Sequence, residues 1–189
     1  MSGGAEPPIE APAPGSVRVP SLVIVNTGDG KGKSTAAFGT ALRAVGRGWR
    51  VCVVQFVKSG KWNTGEEKAG RALGIEWWEL GDGFTWDAES LSESEGVAVA
   101  AWRSAARILA AGDHQLVVLD EITYPLVWGW IDTGEVVAAI AHRPEHVNVL
   151  CTGRAAPPEL VAVADTVTEM RNVRHAYDRG VRAKRGIDY

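Results

Sequence analysis

The chain has 189 residues, 46% of them apolar, with a formal charge of −3 and a pI near 5.8. That length suits one domain with a sizeable core, and the charge balance leaves no broad electrostatic footprint for nucleic acid or a membrane surface. No apolar stretch approaches the roughly 18 to 20 residues that span a bilayer, and MSGGAEPPIEAPAPG lacks the basic region and apolar core of a secretory signal, so a cytoplasmic protein is expected.

Residues 1–20 are rich in Pro, Gly and Ala without apolar periodicity and read as a flexible arm, leaving 21–189 as the folded domain. Strands are predicted at SLVIVN (21–26), RVCVVQFV (50–57), IEWWEL (75–80), QLVVLDE (115–121), VNVLCTG (147–153) and TVTEM (166–170). Their apolarity is continuous rather than alternating, which suits strands covered on both faces of a parallel sheet. After the first strand, Ser34 to Arg47 sets Ala37, Phe38, Ala41, Leu42 and Val45 on one helical face, with Gly46 and Gly48 near its stop. Ser92 and Glu95 have capping-box spacing ahead of Val97, Ala101, Trp102, Ala105, Ile108 and Leu109, the apolar face of a second helix. Asp132 and Glu135 repeat that spacing before Val136, Val137 and Ile140, and Pro157 and Pro158 suit the start of a short helix running to Ala164. This alternation predicts an α/β sandwich with right-handed crossovers.

The run Thr27 to Thr35, TGDGKGKST, nearly matches the phosphate-loop pattern GxxxxGK(S/T), with Thr27 in the slot of the first glycine. It follows a predicted strand and opens a predicted helix, the context in which the pattern becomes a site. Gly28, Gly30 and Gly32 let successive N–H groups converge on phosphate oxygens, and the helix dipole adds to the field. Lys33 would neutralise phosphate charge, Lys31 would add a second cation, and Ser34 would offer its hydroxyl to Mg²⁺. Asp120 and Glu121 end a central strand, where a carboxylate can reach phosphate-bound magnesium. ATP with Mg²⁺ is the expected ligand.

Cys52 and Cys151 lie inside apolar runs and read as buried, reduced thiols rather than a disulfide or a metal pair. His142 and His146 are separated by Pro144, which argues against their facing one way on a helix, and no structural metal is expected. Of eight tryptophans, Trp102 fits a buried helix face and at least one of Trp77 and Trp78 belongs in the core. Trp62 and the Phe84–Trp86 segment of GDGFTWDAES lie outside obvious core patterns, where they serve either loop packing or a flat wall for a planar ligand. The tail RNVRHAYDRGVRAKRGIDY, with His175, carries a local basic excess that reads first as a solvated segment.

Taken in order, TGDGKGKSTAAFGTALRAVG, VVQFVK, GFTW, VVLDEITY, TGR, ADTVTEM and the terminal GIDY resemble the ATP:corrinoid adenosyltransferases of the phosphate-loop type, over nearly everything from residue 21 onward. The resemblance implies a RecA-like, mainly parallel sheet, a homodimer, and transfer of the 5′-deoxyadenosyl group of ATP to the cobalt(I) of a corrinoid. Cobalamin and cobyrinic acid a,c-diamide are the candidate acceptors, triphosphate leaves intact, and the setting is adenosylcobalamin biosynthesis or salvage. By the same carry-over Gly28, Asp29, Gly30, Lys31, Gly32, Lys33, Ser34 and Thr35 cradle the triphosphate. Ser34, Glu121 and Asp120 hold Mg²⁺, Arg154 of TGR lies near the nucleotide, and Phe84 and Trp86 stand beside the corrin ring. Cobalt(I) is itself the nucleophile, so no side chain need act as a base, and Lys33 contributes by stabilising the departing charge. Phe84 and Trp86 would keep the lower axial position of cobalt empty, easing reduction from cobalt(II) by a flavoprotein or other reductase. The DxHxxG pattern of histidine-donating corrinoid enzymes is absent. Some family members fold an N-terminal helix over the site, whereas residues 1–20 here read as extended.

On the residues alone two other readings stay open. A RecA-like ATPase or small-molecule kinase accounts for the loop and LVVLDE but not for GFTW. A nucleotide-dependent binding module would use the basic tail on a partner.

Overall fold

Apolar runs without alternation need cover on both faces, and the six predicted runs all enter one parallel sheet. The computed structural model describes residues 15–59, 64–81 and 88–188. The strands are β1 (Val23–Thr27), β2 (Val51–Ser59), β3 (Glu76–Gly81), β4 (Leu116–Asp120), β5 (Asn148–Thr152) and β6 (Thr166–Glu169), in spatial order β3-β2-β4-β5-β1-β6. Every pairing is parallel, so all six C-terminal ends lie along one edge. The two outermost strands differ from the middle four: β6, TVTE, is exposed throughout, while β4 is buried at every position.

The helices are α1 (Lys33–Val45), α2 (Gly65–Ala72), α3 (Ala88–Ala111), α4 (Thr123–Val127), α5 (Thr133–Ala141) and α6 (Pro158–Ala162), with a 3₁₀ turn at Tyr177–Arg179. One sheet face is closed by α1 through Ala37, Ala41 and Ala44 against Val51, Val53, Val118 and Leu150. The expected stripe is shifted there, because Leu42 is 54% exposed and Ala44 is buried instead. Three small alanines let the helix axis approach the strands more closely than a leucine would. The opposite face is covered by α3, α5 and α6, with Trp102, Leu109, Val136, Ile140 and Leu160 in a single core. Trp102 is 2% exposed, and its indole N–H donates to Glu135 Oε1 at 2.8 Å, tying α3 to α5.

Asp132 caps α5 as its spacing predicts, accepting the Glu135 N–H at 2.8 Å, and Pro157–Pro158 open α6. Ser92 does not cap α3. That helix already runs from Ala88, which leaves Ser92 and Glu95 inside it. Helices α2 and α4 have no counterpart in the sequence reading; α2 is capped by Thr64, whose hydroxyl accepts the Glu67 N–H. Trp77 is core and Trp78 is 40% exposed. Both cysteines are buried and free, and burial pushes their thiols up to about 12. His142 and His146 bond separate carbonyls, of Ala138 and Gly112. Residues 15–20 are exposed and carry no regular structure, and among the described residues no helix is long and apolar enough to cross a membrane.

Candidate functional site

In an open parallel sheet, ligands bind beyond the carboxyl ends of the strands, and the loops after β1, β4 and β5 meet there. The loop Gly28–Gly32 leaves β1 and turns into α1 at Gly32, whose φ of 115° only glycine adopts easily. Thr27, the residue in the unusual first slot, has two jobs: its carbonyl accepts the Met170 N–H at 2.8 Å, and its hydroxyl accepts the Ala156 N–H at 3.1 Å. The loop is thereby tied both to the chain leaving β6 and to the chain leaving β5. The Gly30 N–H donates to Met170 O at 2.6 Å. A Cβ on Gly28 would lie 2.5 Å from that same carbonyl, so close approach of the chain leaving β6 requires this glycine.

Lys33 curls back over the loop, its Nζ donating to Gly28 O at 2.8 Å and to Gly30 O at 2.7 Å. Burial and the Arg154 guanidinium lower its pKa, with Asp29 and Glu121 opposing. Lys31 is ion-paired to Asp188 in the terminal GIDY. An open cleft of about 240 Å³ is lined by Asp29, Gly30, Lys31, Gly32, Lys33, Ser34, Glu121, Tyr124, Arg154 and His175. Thr35 is exposed on the first turn of α1, and neither it nor Gly28 lines the cleft.

The two carboxylates that end β4 part company. Asp120 is fully buried; its Oδ1 accepts from Thr152 Oγ1 at 2.7 Å and its Oδ2 from Gln55 Nε2 at 2.8 Å. Gln55 is held in turn by the Trp77 indole N–H at 2.8 Å. Glu121 turns onto the cleft, with a left-handed φ of 64°, and its N–H donates to Thr152 Oγ1 at 2.8 Å. One threonine hydroxyl therefore links the buried carboxylate to the backbone that aims the other.

Across the cleft, Thr123 Oγ1 donates to Arg154 O at 2.7 Å. Any Cβ on Gly153 would fall on that hydroxyl, which accounts for the glycine in TGR. Tyr124 lines the same cleft, and burial followed by the Glu121 charge raises its pKa, keeping the phenol protonated. Its ring lies 5.3 Å from that of Trp128, itself 4.7 Å from Trp130. Tyr124 and His175 were not singled out as site residues by sequence; the quoted ITY held the signal for the first, while only the fold carries His175 to the loop. Phe84 and Trp86, like Trp62, lie outside the described residues.

Sheet, loop and cleft define the class: a RecA-like phosphate-loop α/β protein with a nucleotide site. The flagellar accessory protein FlaH of Methanocaldococcus jannaschii has a similar fold, with a TM-score of 0.53 at 11% identity over 82% of this chain and 73% of that one. The narrower assignment comes from sequence, since residues 20–189 match the family ATP:corrinoid adenosyltransferase BtuR/CobO/CobP. The corrinoid adenosyltransferase CobA of Salmonella typhimurium is 45% identical over 168 residues, 89% of this chain and 85% of that protein. A corrinoid adenosyltransferase of Pseudomonas aeruginosa is 42% identical over 170 residues, 89% and 83% of the respective chains. This chain belongs to the ATP:corrinoid adenosyltransferase family, enzymes whose substrates are ATP and a corrinoid, and the resemblance drawn from its motifs is borne out.

Proposed function

We propose that this protein transfers the 5′-deoxyadenosyl group of ATP to the cobalt(I) of a corrinoid, cobalamin or cobyrinic acid a,c-diamide, releasing triphosphate in adenosylcobalamin biosynthesis or salvage. The observation that carries the reading is the cleft in which Lys31, Lys33 and Arg154 face Ser34 and Glu121 around a phosphate loop, in a chain of this family. The cobalt(I) electron pair attacks C5′ of the ribose and becomes the cobalt–carbon bond, while the C5′–O bond breaks and its bonding pair leaves on the triphosphate oxygen. No side chain has to act as nucleophile or general base, so the protein's work is alignment and stabilisation of charge on the leaving group.

Gly28 to Thr35 form the cradle, in which Lys33 exchanges the Gly28 and Gly30 carbonyls for phosphate oxygens. Arg154 supplies a second fixed cation. The donor set on the cleft is hard oxygen, from Ser34 and Glu121, which fits Mg²⁺. Bound there with the triphosphate, Mg²⁺ would offset the charge that grows as C5′–O breaks. Asp120, spent on Thr152 and Gln55, orients Glu121 from below rather than facing the ion. Phe84 and Trp86 take the corrin side. The enzyme works in the cytoplasm as a homodimer, with residues 1–20 as an arm outside the 21–189 domain and a flavoprotein or other reductase supplying cobalt(I).

The test is incubation with MgATP and chemically reduced corrinoid. An alkylcobalt absorption spectrum together with intact triphosphate is expected; phosphate release without corrinoid adenosylation would overturn the reading.

A further inference from the structure

At the end of the sheet remote from the phosphate loop, three side chains of metal-binding type converge. Cys52 is the second residue of β2 and Glu76 the first of β3, and the two are direct register partners. Paired positions on parallel strands project to the same face, here the face covered by α3. His114 sits two residues before β4 begins. Cys52 Sγ, a Glu76 carboxylate oxygen and a ring nitrogen of His114 all lie within 4.8 Å of one another. Around a tetrahedral Zn²⁺ with bonds of about 2.0–2.3 Å, ligand atoms stand about 3.5 Å apart, so an inward shift of about an ångström closes the set.

Among the described residues, Glu76 is the one hydrogen-bond partner of the His114 ring. The His114 side chain is 7% exposed, its Nε2 is 2.9 Å from Glu76 Oε2, and its Nδ1 is buried with no hydrogen-bond partner. Buried polar atoms are seldom left so. Nε2 is the nitrogen that faces Glu76, so a cation between the two side chains replaces their hydrogen bond, with the neutral ring keeping its proton on Nδ1.

We propose that Cys52, Glu76 and His114 form a binding site for a thiophilic divalent cation, Zn²⁺ being the best match. Thiolate, carboxylate and neutral imidazole balance a dication even with Arg50 acting on Glu76, and metal binding releases the thiol proton to solvent. Glu76 is 43% exposed, which provides the entry path and room for a water as fourth ligand. Mg²⁺ does not compete, because a soft sulfur ligand and a three-coordinate frame suit it poorly. The cation would clip the β2–β3 pair to the chain entering β4, far from the cleft, so the site is separate from the transfer reaction.

The experiment uses untagged, chelator-treated full-length protein titrated with Co²⁺, whose thiolate complexes absorb in the near-ultraviolet and whose tetrahedral complexes absorb strongly in the visible. The expected result is one equivalent bound, both bands displaced by Zn²⁺ and unaffected by Mg²⁺. Cys52→Ala should abolish the near-ultraviolet band and Cys151→Ala should retain it. Glu76→Gln, at a partly exposed position that leaves folding intact, should weaken binding at least about tenfold and shrink the rise in thermal midpoint that Zn²⁺ gives the wild type. Absence of the band in the wild type, a band that survives Cys52→Ala, or equal Zn²⁺ stabilisation of the wild type and Glu76→Gln would each overturn the proposal.

Discussion

Lys33 is half-buried beside Arg154, and both features lower its pKa from the ordinary 10.5. Between the lowered value and 10.5 the unfolded chain binds more protons than the folded one, so the Lys33 contribution to stability rises with pH across that window. Binding of triphosphate has the opposite sign, because it needs the ammonium. ATP affinity should therefore fall roughly tenfold as pH rises through that window, beginning below 10.5, and Lys33→Arg should flatten the limb; calorimetric titrations across pH would read both. The two carboxylates separate in the same manner. Asp120→Asn sets an amide nitrogen against Gln55 Nε2, and Gln55 cannot flip without losing the Trp77 indole. A loss of about 2 kcal/mol in denaturant unfolding is expected. Glu121→Gln leaves stability nearly unchanged but lowers turnover roughly 100-fold. For GFTW, Phe84→Ala or Trp86→Ala should impair the reaction from cobalt(II) more than from pre-reduced cobalt(I), and equal losses would count against an axial-position role. The loop residues Lys33 and Ser34 were legible in sequence because the phosphate-loop pattern fixes their places by spacing. Which of Asp120 and Glu121 faces outward was not, since it depends on one left-handed residue and on Thr152, a partner 31 positions away.

At the level of elements, the strands were readable because β1, β2, β4 and β5 are buried on both faces and carry unbroken apolar runs. Helix α2 was not readable for the converse reason: in GEEKAGRA only Gly70 is buried, so no apolar stripe announces it. The start of α3 was misplaced because Ser-x-x-Glu spacing arises by chance inside a helix rich in Ser and Glu. The tail is the element whose part changed most. It read as a solvated basic segment, yet His175 lines the cleft and Asp188 pairs with Lys31. That pair is partly exposed and is worth at most about 1 kcal/mol, but it occupies a cation that phosphate would use. Asp188→Asn should leave the thermal midpoint nearly unchanged and tighten ATP binding by up to about fivefold. Weaker binding in the same titration would mean that Asp188 positions Lys31 instead of competing for it.

For the molecule as a whole, the controlling feature is the place of β1 between β5 and β6. Its backbone and flanking contacts join positions 126 and 142 residues apart, as in Leu22 with Asn148 and Val23 with Asp165. Pairings this distant form late, because loop closure must precede them. On the ribosome the consequence is one of timing. The phosphate loop leaves the exit tunnel early, while the strands on either side of β1, and the Met170 carbonyl that receives Gly30, are among the last parts made. Nascent chains ending at Ala164 and carried clear of the tunnel by an unstructured C-terminal linker should hold β2 to β4 against α3 yet fail to retain ATP, and chains ending past Arg171 on the same linker should begin to retain it. Measuring nucleotide capture on stalled chains of graded length would date the site's completion, and capture before β6 has emerged would show that the loop matures without its neighbour.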